Sequence, residues 1–370
     1  MNHFEGKIGV REYVSILIIL IGLRLADDTP VLITTDAKNA GWMIPLISGV
    51  ISILPVFLLI QVFSVHREKN IFQVLIHLFG KWAGTAVCFI LFILGLIGFT
   101  SETSVYTDII GTMYFSRTPS ILIYIILMVV SVYGARKGLQ HIGSVSWLVI
   151  FYVKIALFIS LILSFTKGNH LYIFPILGEG LGEIIKEGAS KISVYIDFLL
   201  FTGFMVPLLQ NFNRFKKGTT IALIIVSFEL TVAVLSYIML FDYITVSKLN
   251  FPFHETIRYI SLGFISNMET FFFPFWLIAT FLKFSAYLHI VTLMFAQILK
   301  IKRSEKCIPL IAAVVLFLGM LPETPTFTIF SLRDLLFDFT SSLFFLLPCV
   351  MWIFAKIKGD FKNETEINPY

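Results

Sequence analysis

The sequence predicts an all-α polytopic membrane protein of about ten transmembrane helices in a five-plus-five inverted repeat, with helices 1 and 6 broken. Three observations carry this expectation. Hydrophobic residues make up 57% of the 370 and charged residues only 14%, against roughly 25% charged in soluble domains, and mean hydropathy is +0.90. The apolar residues gather in runs long enough to cross about 30 Å of hydrocarbon. Two of those runs, at corresponding places in the two halves, carry glycine and proline where a regular helix is hard to sustain.

In order, the runs are 12–37 (interrupted), 42–63, 83–114, 119–135, 142–165, 192–212, 219–244, 268–299, 307–321 and 334–356. They make one integral membrane domain over 1–370, with repeats at 12–165 and 192–356 and a tail at 357–370. An even number of passes returns both ends to one side. Lys and Arg, including Arg67, Lys69, Arg136, Lys137, Arg214, Lys216, Lys217, Lys300, Lys302 and Arg303, concentrate in the connections on the amino-terminal side. They are roughly twice as frequent there as on the other side, which places both termini in the cytoplasm. The outer connections are 28–41, 115–118, 166–191, 245–267 and 322–333.

Two outer connections are long enough for structure of their own. In 177–192, Leu181, Ile184, Ile185 and Ile192 alternate with Glu183, Lys186, Glu187 and Lys191, the pattern of a short interfacial helix. Residues 254–265 repeat it with Ile257, Ile260 and Ile265. Both helices either cap an outer vestibule or simply pack on the surface. At the amino terminus no small-residue cleavage site follows the first apolar run, so no cleaved signal peptide is expected. Cys88, Cys307 and Cys349 are odd in number and lack CxxC spacing, and neither a disulfide framework nor a zinc site follows.

The first run reaches Gly22 and then carries Leu23, Arg24, Leu25, Asp27, Asp28 and Pro30. Unwound backbone at membrane depth is tolerated only where protein or water covers it, since each unsatisfied N–H or C=O costs several kcal/mol. A break at Gly22, Leu23, Arg24 and Leu25 would offer free amides and carbonyls to a small ligand. The sixth run holds a second candidate break, Phe201, Thr202, Gly203, Phe204, Met205, Val206 and Pro207. Ordinary kinks are the alternative at both places, because Gly and Pro are common in membrane helices.

Lys154 and Lys283 lie at mid-depth in their runs. A buried ammonium costs at least about 2.5–3.5 kcal/mol on insertion scales, so each must face acceptors inside the protein or a watery cavity. Lys283 and Tyr287 share a helix face, as do Glu102 and Tyr106. Glu102, Tyr106 and Asp108 form either the outer wall of a cavity or the emergence of helix 3 into headgroups. Arg24 has Asp27, Asp28 or Glu102 as possible partners, and His289 reads as a packing residue. No nucleotide loop, HExxH or local Ser/His/Asp set is present, so no catalysis, cofactor or metal is expected. The scattered basic loops do not form a nucleic-acid patch.

The residues Gly9-Val-Arg-Glu-Tyr13, the Gly22 break, Asp27-Asp-Thr-Pro30, Ala37 to Trp42, Pro55, Leu78-Phe-Gly-Lys81 and Tyr133-Gly134-Ala-Arg136-Lys-Gly138-Leu139 resemble the B subunits of GerA-type spore germinant receptors, in order and over nearly the whole chain. The resemblance implies a branch of the amino acid-polyamine-organocation superfamily and a sensor in the spore inner membrane. It implies partners too: an A subunit, a lipoprotein C subunit and a small nutrient germinant such as an amino acid or sugar. In sodium-independent permeases of that superfamily a fifth-helix lysine replaces an ion between helices 1 and 8. By that likeness Lys154, with the Ser285 hydroxyl, is an ion-site substitute, and Tyr287 lines the ligand pocket. Three functions stay open at this point: nutrient sensor, proton-coupled amino acid or amine permease, and ligand-gated channel.

Overall fold

The computed structural model describes residues 7–261, 268–321 and 333–361. Ile265, the 322–332 stretch of the fifth outer connection and the tail beyond 361 lie outside the described residues. Among those described the chain is helical, apart from one isolated parallel bridge between Ile8 and Leu209. The helices are α1 (Val10–Gly22), α2 (Thr29–Ala37), α3 (Ile44–Val65), α4 (Ile71–Phe79), α5 (Lys81–Ile109), α6 (Ser120–Lys167) and α7 (Leu181–Ser190). They continue with α8 (Asp197–Met205), α9 (Phe212–Phe241), α10 (Tyr243–Val246), α11 (Pro252–Tyr259), α12 (Glu269–Ile298), α13 (Ile308–Gly319) and α14 (Asp334–Ile357).

The all-α polytopic architecture is as expected. Among the described residues six helices are long and apolar enough to cross a membrane, seven when Leu181–Ser190 and Ile192–Leu208, bent by 46°, are taken as one span. The two halves of the first segment and the twelve-residue α13 fall short individually. The 48 residues of α6 would extend about 72 Å if straight, more than twice the hydrocarbon core. Gly138, at φ 81° and ψ 167°, turns the chain there and separates the expected fourth and fifth segments. A side chain at that φ would be strained.

α1 lies at the centre. Leu17, Leu20 and Ile21 are fully buried, and the helix packs against α6, α9 and α12. Outward-facing Leu148, Phe158, Ile224 and Phe228 remain more than 60% exposed, as a lipid-facing surface requires. The two ends of the described chain come out on one face. The Ile8 N–H donates to the Leu208 carbonyl (2.7 Å), the Arg67 guanidinium lies 4.9 Å over Phe212, and His66 Nε2 is 3.1 Å from Asp360 Oδ2.

Helices do form where the two short outer ones were expected, as α7 and α11, and both pack. Ile184 joins Ile33, Ala37, Ala40 and Ile44 in a small separate core, while Leu181 and Ile185 stay exposed. On α11, Ile257 is fully buried, as is Ile260 just beyond its end, and the His254 ring sits edge-on to Trp276 at 4.8 Å with Nδ1 2.8 Å from the Tyr114 hydroxyl.

The short α4 was not anticipated. It begins with a capping box in which Asn70 and Gln73 each accept the other's backbone N–H (both 3.1 Å). It lies so close to α5 that a Cβ on Gly84 would stand 2.6 Å from Ile76 Cα and 2.8 Å from the Leu75 carbonyl. Backbone cannot yield as a side chain does, so Gly84→Val should cost about 1–3 kcal/mol or more by overpacking. A fall in the thermal midpoint of the detergent-solubilised protein would show it. Gly98→Ala, with nothing within 4 Å of the new methyl, should leave the midpoint unchanged or slightly raised.

Candidate ligand site

The first segment breaks where charge enters it. α1 runs helically through Gly22 (φ −62°, ψ −30°), tightens to a 3-10 turn at Leu23–Leu25, bends, and restarts at Thr29. Asp27 caps the restart, its Oδ1 accepting the Thr29 N–H at 2.8 Å. Pro30 loses nothing at that position because the first helical N–H groups have no intrahelical acceptor. The freed carbonyls are not left open: the Tyr106 hydroxyl donates to Leu23 (3.2 Å) and the Tyr237 hydroxyl to Leu25 (3.0 Å).

The sixth segment unwinds elsewhere than expected. Thr202, Gly203 and Phe204 are helical within α8, and only a 3-10 turn at Val206–Leu208 marks Pro207. The missing Cβ of Gly203 makes room for Ile71, whose own Cβ would be 2.7 Å away. Thr202 is 2.9 Å from the Tyr13 hydroxyl, and Phe204 packs on Phe72. These three residues seat α1 and α4 and are not among those lining the cavity between the two breaks. The break lies at 191–196, between α7 and α8. Ser341 of α14 bridges it, accepting the Ser193 N–H (3.0 Å) and donating to the Ser190 carbonyl.

The two breaks meet around an open-mouthed cavity of about 80 Å³. Arg24, Ser101, Glu102, Ser193, Asp197, Tyr287 and Arg333 supply its polar lining, and Gly95, Gly98, Phe99, Leu200 and Phe337 part of its apolar wall. Arg24 Nη2 reaches Asp197 Oδ2 at 3.1 Å and Glu102 Oε1 at 3.3 Å. Lys283 Nζ lies 3.0 Å from Glu102 Oε2 and 5.1 Å from the Tyr106 ring centre. Tyr287 donates to Asp197 Oδ1 and stacks on Phe99. Arg333 pairs with Asp28 and lies 3.5 Å from Asp27 Oδ2.

Every one of these charged groups is buried. Such groups persist away from water only when paired. The cluster holds the cations Arg24, Lys283 and Arg333 against the carboxylates Asp27, Asp28, Glu102 and Asp197, a formal excess of one negative charge. Four side-chain polar atoms of lining residues are buried without a hydrogen-bond partner, Arg24 Nε, Ser101 Oγ, Ser193 Oγ and Glu102 Oε2, of which the last has the Lys283 ammonium 3.0 Å away.

Of the residues the sequence nominated, the cavity gathers Arg24, Glu102 and Tyr287. Tyr106 is directed to the break backbone, and Asp108 is only half-buried. Gly22, Leu23 and Leu25 line a second, smaller pocket of about 20 Å³ with Lys154. Lys154 is paired with Glu229 rather than with Ser285. The Ser285 hydroxyl instead donates to the Phe281 carbonyl (2.7 Å) and sits against Gly134. Arg24 takes Glu102 and Asp197, while Asp27 and Asp28 go to Arg333. His289 packs as expected, with Nδ1 2.8 Å from the Ala135 carbonyl.

Asp197, Glu229, Arg333, Ser193 and Tyr237 were missed. The rule that singles out lone lysines in apolar runs applies equally to Asp197 and Glu229, each an isolated carboxylate in such a run. Losing the tyrosine hydroxyl in Tyr237→Phe strands the buried Leu25 carbonyl of the break, whereas Tyr106→Phe leaves the Leu23 carbonyl with the Ala26 N–H at 3.0 Å. Tyr237→Phe should lower stability by about 1–3 kcal/mol, measurable as a lowered unfolding midpoint in detergent, and Tyr106→Phe by less.

Fold and site together define a polytopic helical membrane protein with a buried, charge-lined cavity between broken helices. Residues 13–328 match the family described as spore germination protein, the spore permease family, and the chain belongs to it. It is 27% identical over 271 residues to spore germination protein A2 of Bacillus subtilis (strain 168), covering 70% of this chain and 71% of that one. Spore germination protein YndE of the same organism is 21% identical over 351 residues, 92% and 94% of the two chains. Spore germination protein XB of Bacillus anthracis is 19% identical over 356 residues, 95% and 99%.

Proposed function

We propose that this chain is the nutrient-sensing membrane subunit of a spore germinant receptor. A small germinant binds in the cavity between the two breaks and biases the bundle between two packings. That bias is passed to an A subunit and a lipoprotein C subunit, with both termini on the cytoplasmic face of the spore inner membrane. Residues 12–165 and 192–356 act as two repeats, each contributing one break. A ligand shifts such an equilibrium only by its differential affinity for the two states.

The observation that carries this reading is the cavity between the two breaks, whose lining residues Arg24, Ser101 and Ser193 each hold a buried polar atom (Nε, Oγ and Oγ) without a hydrogen-bond partner. Buried polar atoms without partners cost about 1–3 kcal/mol each, a cost that a bound polar solute removes. The lining carries two cations, Arg24 and Arg333, and two carboxylates, Glu102 and Asp197, a balance that suits a neutral or zwitterionic germinant. Membership of the spore germination family supports the physiological setting.

Ser101→Ala and Ser193→Ala test the site without breaking any hydrogen bond made by either hydroxyl in the structure. Each should raise the germinant concentration for half-maximal germination about five- to tenfold, the worth of one neutral hydrogen bond, at unchanged protein level in spore membranes. Unchanged sensitivity in both, and in a cavity-filling Ser193→Leu, would place the ligand elsewhere.

A second reading, a proton-coupled amino acid or amine permease, is favoured by one observation. The Lys154–Glu229 pair lies beside the Gly22 break and is partly accessible, with side chains 28% and 15% exposed. Uptake by the chain alone in proteoliposomes, abolished in Lys154→Met, would support transport; the absence of any flux would leave sensing.

A further inference from the structure

We propose that His66, His77 and Asp360 form a binding site for one divalent transition-metal ion, with zinc the best fit to the ligands. The site lies on the face where the described chain begins and ends, away from the cavity, and is independent of the nutrient site. His66 follows the end of α3, His77 is in the last turn of α4, and Asp360 follows the end of α14. The sequence separations of 11 and 283 residues resemble no metal motif, which is why the sequence alone shows no site.

The geometry points to a metal. Both imidazoles aim Nε2 at the same carboxylate oxygen: Asp360 Oδ2 is 3.1 Å from His66 Nε2 and 3.3 Å from His77 Nε2. All three ligand atoms lie within 4.8 Å of one another. Around a tetrahedral zinc with bonds of about 2.0–2.1 Å, neighbouring ligand atoms stand about 3.3–3.4 Å apart. The two N···O separations therefore already match two edges of a coordination tetrahedron, and the two nitrogens, within 4.8 Å of each other, set the third. Imidazole with carboxylate selects zinc, nickel or cobalt over magnesium or calcium, which prefer all-oxygen sites.

The surroundings fix the ligands. Gly359, at φ 77°, turns the chain after α14, and the Asp360 N–H donates back to the Ala355 carbonyl (3.1 Å). Lys358 donates to the His77 carbonyl and pins the helix end to α4. The His66 side chain is 7% exposed and the Asp360 side chain 15%, whereas His77 is 38% exposed, leaving one side open for water as a fourth ligand. An ion here joins the ends of α3, α4 and α14. Because α4 seats α8 through Ile71 against Gly203 and Phe72 against Phe204, occupancy braces the helix that carries Asp197.

The test uses the full-length chain in detergent, stripped with chelator and titrated with cobalt(II). One equivalent should bind, with the visible absorption of a tetrahedral ion that zinc displaces. Zinc should raise the thermal midpoint. Both effects should be lost in His77→Gln and Asp360→Asn, and binding should survive in His77→Cys, which retains a zinc ligand. Zinc should also shield His77 of the unaltered chain from acylation by diethyl pyrocarbonate, a readout that needs no variant. No saturable uptake, uptake unchanged in both variants, or acylation at the same rate with and without zinc would each overturn the assignment.

Discussion

Replacing Arg24 by alanine should destabilise the protein by about 3–5 kcal/mol, the usual consequence of removing one partner from a buried ion pair. Among the described residues its guanidinium is the cation paired with Asp197, and Asp197 is fully buried. Glu102 fares better because Lys283 remains 3.0 Å away. The penalty should therefore fall mainly on the carboxylate of α8, and the cavity should lose its geometry where the two breaks face each other. Arg24→Met combined with Asp197→Asn should recover much of the loss, since the amide keeps an acceptor for the Tyr287 hydroxyl and carries no charge. Arg24→Met with Glu102→Gln should recover less, because it leaves Asp197 unpaired and deprives Lys283 of its carboxylate. Protein level in spore membranes and the unfolding midpoint in detergent measure both effects. If Arg24→Ala accumulates normally and unfolds at the original temperature, the ion pairs do not hold the breaks together.

What the sequence made legible follows from which signals are local. Hydrophobic run length is local, so the polytopic class and the position of most helices could be read directly. The break in the first segment could also be read, because Arg24, Asp27 and Asp28 interrupt an apolar run and Pro30 restarts the helix. The break in the sixth segment could not. Residues 191–196 contain neither Gly nor Pro, and what permits unwinding there is Ser341, nearly 150 positions away, satisfying backbone on both sides. Gly203 and Pro207 are the more visible signal, yet a glycine in a membrane helix can equally serve close packing, which is its use against Ile71.

The same contrast explains the charged residues. A lone lysine in an apolar run announces that it needs an acceptor, but its partner lies on another helix and is chosen by the fold. Lys154 takes Glu229 from α9, and Lys283 takes Glu102 from α5. Ser285, one turn from the expected pocket, is consumed by its own helix, donating back to Phe281 as hydroxyls within helices commonly do. Likeness to permeases placed Lys154 correctly beside the Gly22 break but did not supply its counter-ion.

Arg333→Ala should be as damaging as Arg24→Ala, and for a distinct reason. Asp27 and Asp28 are adjacent, fully buried carboxylates at the bend between α1 and α2, and Arg333 at the start of α14 is the cation that contacts both. Asp27 is further committed to capping α2 through the Thr29 N–H. Without the guanidinium, two like charges are left side by side away from water, at a cost of about 3–5 kcal/mol. The bend should respond by taking up a proton or by opening to water. Neutralising Asp28 alone in the Arg333→Met background should restore most of the stability, whereas neutralising Asp27 should restore less, because its carboxylate also caps a helix. That order separates the two aspartates by function, and thermal unfolding of the two double variants measures it. Equal rescue by either change would mean that only total charge matters at the bend, and a stable Arg333→Ala would show that α14 is not tethered to the first segment through this residue.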